Sequence, residues 1–219
     1  MKSGILLLGF ILAAALTSCG LKAFDEDGDA AAPEDTTVSE ASSLFAGNGE
    51  GNVFVFETND TRYLGTRGYT LWTTPETNAS QNFEPISVRI SKESGRTEAG
   101  FGIVMCSQEI GGKPFMLTVL INAKGLYTVG KVVDGVFSHI NGGWKDSSYI
   151  NKGHGTYNNV SVSYDGESRN FLLRINGYDI TDFTVPEEIS FRDSRSGYAV
   201  VIAHNEDFPR TSVKVIFEK

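Results

Sequence analysis

Residues 141–157 concentrate the side chains best suited to bind a sugar. The segment reads NGGWKDSSYINKGHGTY, and its Gly and Asn residues predict a loop. A sugar ring has apolar faces on which an aromatic ring can stack, and polar edges that bond to carboxylate, amide and hydroxyl groups. We therefore predict a ligand-binding site formed by Trp144, Asp146, Tyr149, His154 and Tyr157. In the alternative interpretation, Trp144 and Tyr149 cap the open end of the folded domain.

The acidic side chains have no local arrangement suited to glycoside hydrolysis. A retaining glycosidase needs two carboxylates about 5–5.5 Å apart, on either side of the scissile bond. Glu187 and Glu188 are adjacent, and Asp179 and Asp182 are three residues apart. Glu84 and Glu93 are isolated. Adjacent or odd-spaced residues of a regular strand face opposite sides of a sheet. A hydrolase whose carboxylates come from separate strands is therefore an alternative interpretation.

Metal-binding and nucleophile motifs do not occur in the sequence. His139, His154 and His204 are far apart and lack metal-ligand spacing, and there is no Gly-x-Ser-x-Gly elbow. We therefore predict no catalytic residues, no metal and no cofactor. Cys106 lies in an apolar stretch, which predicts a small buried side chain rather than a reactive thiol.

The first 19 residues have the layout of an export signal. Lys2 precedes an apolar run from Gly4 to Leu16, which is shorter than the roughly 20 helical residues that span a bilayer. The sequence Leu16-Thr17-Ser18-Cys19 that follows resembles the lipobox of bacterial lipoproteins. The resemblance implies that residues 1–18 are a lipoprotein signal peptide and that Cys19 is lipidated. A buried N-terminal helix with an incidental cysteine is the alternative.

Residues 19–45 are predicted to form the lipidated cysteine and an acidic, disordered tether. Residues 20–43 carry seven acidic side chains and one lysine, a composition that cannot offset the entropy cost of ordering. The run from Asp25 to Asp29 is similar to the start of a calcium loop, but the twelfth position is Thr36 instead of a glutamate. Much of the net charge of −8 lies in this tether, and an acidic balance argues against nucleic-acid binding.

Residues 46–219 are predicted to be a single all-β domain. Short apolar or alternating runs are separated by turn residues, and Asp134-Gly135 and Asn176-Gly177 indicate two-residue hairpins. The residues from Gly100 to Cys106 are apolar on both faces and predict a central, covered strand. The predicted strands are Val53–Glu57, Tyr69–Trp72, Ile86–Ser91, Ala99–Ser107, Phe115–Asn122, Leu126–Val133, Val136–Ile140, Asn158–Tyr164, Asn170–Asn176, Tyr178–Val185, Tyr198–Ala203 and Ser212–Glu218.

About a dozen strands predict two packed antiparallel sheets, a jelly-roll sandwich. The stretches FMLTVLINAKGLYTVGKVVDGVFSHI, NNVSVSYDGESRNFLLRINGYDI and VKVIFEK resemble the concanavalin A-like lectin/glucanase superfamily, in its laminin-G-like bacterial branch. The resemblance covers residues 50–219 and implies the sandwich fold. That fold hosts lectins, hydrolases and adhesion modules. Its enzymes place catalytic carboxylates along one strand in a Glu-x-Asp-x-x-Glu pattern, which this sequence lacks.

Together these features predict a lipid-anchored protein of the bacterial cell envelope with a non-catalytic recognition domain. Its expected partners are the membrane, through the lipid, and a carbohydrate or an envelope or host protein. The glycoside hydrolase and a structural envelope scaffold are the alternatives. Gly20 follows the anchor where an aspartate would favour the inner membrane, so we expect the outer membrane. A second possible surface is a polar sheet face with Arg89, Lys131, Ser161, Ser163 and Arg174.

Overall fold

The computed structural model describes residues 45–47, 52–61, 76–77, 81–184, 189–202 and 208–219. Several predicted features lie outside these residues: the signal peptide, Cys19, most of the tether and the strand Tyr69–Trp72. The same holds for the side chains of Glu187, Glu188 and His204. The described part of the chain contains no helix with the length and apolarity to cross a membrane.

Fourteen β-strands lie within the described ranges. Their bounds are β1 Phe45–Gly47, β2 Val53–Thr58, β3 Glu76–Thr77, β4 Ile86–Ser94, β5 Phe101–Ile110, β6 Lys113–Ile121, β7 Leu126–Val133, β8 Val136–His139, β9 Lys145–Asp146, β10 Tyr157–Asp165, β11 Asn170–Ile175, β12 Tyr178–Thr184, β13 Arg195–Val200 and β14 Val213–Glu218.

The strands form two antiparallel sheets. Sheet I has the order β1-β2-β14-β4-β10-β11-β12, and sheet II has the order β3-β13-β5-β6-β7-β8, with β9 also paired to β7. Each sheet therefore mixes strands from distant parts of the sequence, as in a jelly roll. The predicted all-β architecture, an antiparallel jelly-roll sandwich of two sheets, is confirmed.

The two predicted hairpin turns are confirmed. Asp134 and Gly135 join β7 to β8 with φ of 51° and 76°, and Asn176 and Gly177 join β11 to β12 with φ of 53° and 86°. Positive φ at both central residues matches the twist of the flanking strands. These turns fix the register on either side, because shifting a strand by one residue reverses which side chains face the core.

The main core lies between the two sheets and is formed by alternate residues of each strand. Val160, Val162 and Leu173 of sheet I are fully buried, as the alternation predicts. The ring of Tyr198 in β13 stacks on that of Phe217 in β14, with centroids 4.5 Å apart. This contact joins the two sheets directly.

Sheet II is also apolar on its outer face, which points away from sheet I. Six buried side chains form a second cluster there, with Phe137 packed against it: Val104, Met116, Leu120, Val132, Ala199 and Val201. The prediction that Gly100–Cys106 is a covered strand with two apolar faces is confirmed by this burial. Sheet II therefore lies between two apolar layers.

Cys106 is buried as predicted, and burial raises the pKa of its thiol to about 12. Its backbone, however, has φ of +53°, a conformation that is uncommon for a non-glycine residue and that no sequence pattern predicted at this position. The register between β5 and β6 shifts between Met105 and Gln108, so Cys106 lies in a bulge. A bulge changes the direction of a strand without ending the sheet.

Candidate functional site

The segment 141–157 begins where β7 changes its pairing partner. β8 pairs with one half of β7 and β9 pairs with the other half. Between these strands, the Oδ1 atom of Asn141 accepts hydrogen bonds from the backbone N of Val129 and the Oγ1 of Thr128, both at 3.2 Å. Gly142 and Gly143 then have φ of +78° and +124°, conformations that glycine adopts without strain. This short loop positions Trp144.

The Trp144 ring lies on the outer face of sheet II. A Cβ atom built on Gly100 would be 3.0 Å from Cη2 of Trp144 and 3.3 Å from Cβ of Leu120. The glycine therefore leaves room for the indole beside Leu120, a member of the outer apolar cluster. Trp144 is nonetheless 38% exposed. One part of the ring packs on the sheet, and the remainder is available to a ligand.

A polar group lies on the same face of sheet II. The Thr128 hydroxyl is 2.7 Å from Nδ1 of His139, and partial burial lowers the pKa of His139, which favours its neutral form. Within the described residues, the buried Oγ1 of Thr118 and Nδ2 of Asn141 have no hydrogen-bond partner. Buried polar atoms of this kind normally bond to water or to a ligand.

Asp146 and Tyr149 follow Trp144 on β9 and the turn after it. Oδ1 of Asp146 is 3.3 Å from Nζ of Lys152, and both side chains are exposed. Tyr149 stacks on Tyr178 of β12, with ring centroids 4.2 Å apart and an angle of 16° between the ring planes. Trp144, Asp146 and Tyr149 therefore lie along one short stretch at the rim of the sandwich.

Asn176, in the β11–β12 turn, connects Tyr149 to sheet I. Its Nδ2 donates to the Tyr149 carbonyl oxygen at 2.7 Å and to Oδ1 of Asn158 at 2.8 Å, and its Oδ1 accepts from the backbone N of Asn159 at 2.8 Å. Ile150 is buried beside Tyr149. The hydrogen bond from Asn176 and the burial of Ile150 therefore hold the loop in place around Tyr149.

His154 and Tyr157, the other two predicted site residues, are placed elsewhere. Nε2 of His154 is 2.8 Å from the Gly95 carbonyl oxygen, at a cleft of about 430 Å³. Tyr157 lies on the outer face of sheet I, with the Arg89 guanidinium 3.9 Å from its ring centroid. Burial and a hydrogen bond to Glu218 raise the pKa of Tyr157. The structure thus brings three of the five predicted residues to one stretch and separates two of them.

The second predicted surface is divided between the sheets. Arg89, Ser161 and Arg174 share the outer face of sheet I, since Ser161 lies opposite Arg174 in β11 and Asn159 lies opposite Arg89 in β4. Lys131 is in β7 of sheet II, so it does not belong to this face. The two arginines are already paired, Arg89 with Glu218 and Arg174 with Asp179.

The strand carboxylates Glu109 and Asp146 are far apart on the outer face of sheet II. Among its described side chains, register places Glu109 opposite Pro114 at one end of this face and Asp146 opposite Leu126 at the other. Eight strand positions separate these ends, or about 26 Å. Glycosidase carboxylates are within about 10 Å of each other.

The 430 Å³ cleft contains two acids, Glu93 and Glu98, but Glu98 is unsuited to proton donation. Its carboxylate bonds to Lys124 and pairs with Arg96. The hydrogen bond from Lys124 is the main reason that the pKa of Glu98 falls to about 2, whereas a general acid needs a raised pKa. A second cleft, of about 300 Å³, is lined by one acid among the described residues, Glu84.

The described ranges contain no group of three or more His, Cys, Asp or Glu side chains placed to hold a metal ion.

Two residues near the site and in the core were not predicted from the sequence. Tyr178 directly follows the predicted Asn176-Gly177 turn. Its position next to a tight turn is the sequence feature that could have marked it as a candidate site residue. Lys92 is buried between the sheets, and no local pattern separates it from an ordinary exposed lysine.

No protein-family model and no curated protein sequence match the chain. Among solved structures, a native glycosidic hydrolase has a TM-score of 0.54 and 10% identity, covering 80% of this chain and 78% of that protein. A Bacteroides ovatus GH16 protein of a mixed-linkage glucan locus, in complex with a product, has a TM-score of 0.52 and 8% identity, covering 78% and 81%. At this identity, the similarity establishes the concanavalin A-like jelly-roll fold and leaves activity to the site itself.

Proposed function

We propose that the domain is a non-catalytic glycan-recognition module whose binding surface is centred on Trp144. The observation that carries this proposal is the partly exposed Trp144 ring, held on the outer face of sheet II next to Gly100. An aromatic face fixed by the protein can stack on a sugar ring without a large loss of side-chain entropy. Asp146 and Tyr149 supply neighbouring polar and aromatic groups.

Non-catalytic binding is favoured over hydrolysis by the arrangement of the acids. Glu109 and Asp146 lie at opposite ends of sheet II. The hydrogen bond from Lys124 is the main reason that the pKa of Glu98 is about 2, so Glu98 is ionised. Glu109 and Asp146 are too far apart to share one glycosidic bond, and Glu98 is unsuited to be the proton donor.

Affinity electrophoresis tests this function. The protein would be run in gels that each contain one polysaccharide: mixed-linkage β-glucan, laminarin, xylan, levan or galactan. We expect at least one polysaccharide to retard the protein and Trp144→Ala to lose that retardation while stability falls by about 1 kcal/mol. Val136→Ala is a matched control, because Val136 is also an exposed large apolar residue and is the first residue of β8, outside segment 141–157.

Two results would count against the glycan proposal. If every gel leaves the wild-type protein unretarded, the domain does not bind these glycans. If Trp144→Ala costs about 3–5 kcal/mol, the ring acts mainly as a structural cap, as expected for a filled core position.

We also propose that the domain is attached to the bacterial envelope through a lipid on Cys19, with residues 19–45 as its tether. The support is the sequence Leu16-Thr17-Ser18-Cys19 after a short apolar run. Acyl labelling and detergent partitioning of the full chain test this attachment. Cys19→Ser should lose the label, whereas Cys106→Ala should keep it. Unchanged partitioning of Cys19→Ser would exclude lipid anchoring at this position, and cell fractionation would then test the expected outer-membrane location.

A further inference from the structure

The exposed apolar side chains are concentrated at one rim of the sandwich. In the described part of the chain, four large hydrophobic residues are exposed: Val136, Trp144, Tyr149 and Tyr178. Three of them are aromatic, and each of these either belongs to segment 141–157 or stacks on it. An exposed group of aromatic rings is more informative than scattered exposed apolar residues, because such groups mark binding surfaces.

Tyr149 and Tyr178 form a stacked pair, and we call the exposed parts of their two rings the tyrosine surface. Their rings are nearly parallel, and 45% of Tyr149 and 54% of Tyr178 remain exposed. The Asn176 side chain holds the Tyr149 backbone against the same hairpin that carries Tyr178. The two rings are therefore positioned before any ligand arrives, which lowers the entropy cost of binding.

The charges beside these rings are balanced. Arg174 pairs with Asp179, the residue after Tyr178, and Asp146 pairs with Lys152 on the stretch between Trp144 and Tyr149. Paired charges weaken the attraction for a strongly anionic or cationic ligand, yet they still offer hydrogen-bond donors and acceptors. A neutral chain with apolar ring faces and hydroxyl edges fits this surface best.

The tyrosine surface is also close to Trp144. Tyr149 follows Trp144 by five positions, which sets an upper limit of about 18 Å on their Cα separation, and the hydrogen bond from Ile150 N to the Ser147 carbonyl oxygen makes a turn at the end of that stretch. We propose that Tyr149 and Tyr178 form a further subsite for the glycan bound at Trp144. The protein then recognises several consecutive sugars of a neutral polysaccharide instead of one terminal sugar.

This inference rests on the proposed glycan binding and predicts a dependence on chain length. Isothermal titration would use the oligosaccharides, from disaccharide to hexasaccharide, of the polysaccharide that retards the protein in the gels. Affinity should rise with length and then level off. Tyr178→Ala should weaken binding of the hexasaccharide about tenfold, the effect of losing one stacking contact, and should leave disaccharide binding unchanged. Tyr178→Phe keeps the ring and should bind like the wild type.

The outcomes separate the inference from the proposed function. If Trp144→Ala abolishes binding while Tyr178→Ala binds the hexasaccharide as tightly as the wild type does, the tyrosine subsite is excluded and glycan binding stands. Equal wild-type affinity for the disaccharide and the hexasaccharide would exclude it too. If none of the polysaccharides is bound, both proposals fall. Val136→Ala is again the control and should follow the wild type at every length.

Discussion

The outer faces of the two sheets differ sharply in chemistry. On sheet I, Arg89 pairs with Glu218 and lies over the Tyr157 ring, and Arg174 pairs with Asp179. This face is polar and in contact with solvent. On sheet II, the corresponding face carries buried aliphatic side chains, among them Val104, Leu120 and Val132. The same alternation of strand residues therefore produces a solvated face on one sheet and a second apolar layer on the other.

This difference locates recognition at the rim of the sandwich. The apolar face of sheet II is buried, so it is not an open groove, and the arginines on sheet I are already paired with acids. Trp144, at one end of the outer face of sheet II, and the stacked pair Tyr149 and Tyr178, beside the β11–β12 turn, remain exposed. Loops and edges of a rigid sandwich can present such residues while the sheets supply stability.

The largest expected effect compares one leucine on each outer face. Leu120 of sheet II is 2% exposed, and Leu172 of sheet I is half-buried. Leu120→Ala removes a buried side chain and leaves a cavity, so we expect the free energy of unfolding to fall by about 2–5 kcal/mol. Leu172→Ala should cost about 1 kcal/mol or less. Urea denaturation of both variants measures the difference.

Similar losses for the two variants would contradict the contrast between the faces. A small loss for Leu120→Ala would mean that its apolar cluster contributes little to stability. A large loss for Leu172→Ala would mean that the outer face of sheet I is packed as tightly as that of sheet II.

Alternation and turn chemistry were sufficient to predict most of the fold. The runs around Val160–Tyr164 and Phe171–Ile175 show period two and end at turn residues, so their strands and inward faces follow from local sequence. Pairing between distant strands, such as β14 with both β2 and β4, depends on tertiary packing and was not predictable in the same way.

The candidate site was predictable only in part, because its residues belong to one loop that contacts both sheets. Trp144 and Tyr157 are close in sequence, but they lie on the outer faces of different sheets. Tyr178 contacts Tyr149 only because the β11–β12 hairpin folds against the loop. A sequence pattern cannot report such a contact between separate elements.

The next prediction concerns Lys92, a charged side chain in the apolar layer between the sheets. Its Nζ donates to the Ala99 carbonyl oxygen at 3.0 Å and is 5.6 Å from the Phe101 ring centroid. Burial is the main cause that lowers the pKa of Lys92 from 10.5 to about 7, and Glu98 opposes this shift. Between these two pH values, the unfolded chain binds more protons than the folded protein does.

Stability should therefore rise with pH in this window. We expect the wild-type protein to gain about 2–3 kcal/mol between pH 7.5 and pH 9.5, at no more than about 1.4 kcal/mol per pH unit. Lys92→Met should lose most of this gain, whereas Lys145→Met, at an exposed position on β9, should keep it. Chemical denaturation across the pH range measures the slopes. Parallel slopes for wild type and Lys92→Met would show that Lys92 does not control this dependence.

The smallest effect is expected on the polar face of sheet I. Nη1 of Arg89 lies 2.9 Å from Oε2 of Glu218, and about half of the Arg89 side chain is exposed to solvent. Exposed ion pairs contribute about 1 kcal/mol or less, and a cation–π contact at an exposed site adds a similar amount. Arg89→Met should therefore lower the free energy of unfolding by about 1 kcal/mol, and by less at high salt, where the ion pair is screened. Lys113→Met, at an exposed residue on β6, is the control. A loss above about 2 kcal/mol that does not change with salt would mean that the Arg89 side chain stabilises sheet I by packing, and the two outer faces would then be more alike than their chemistry indicates.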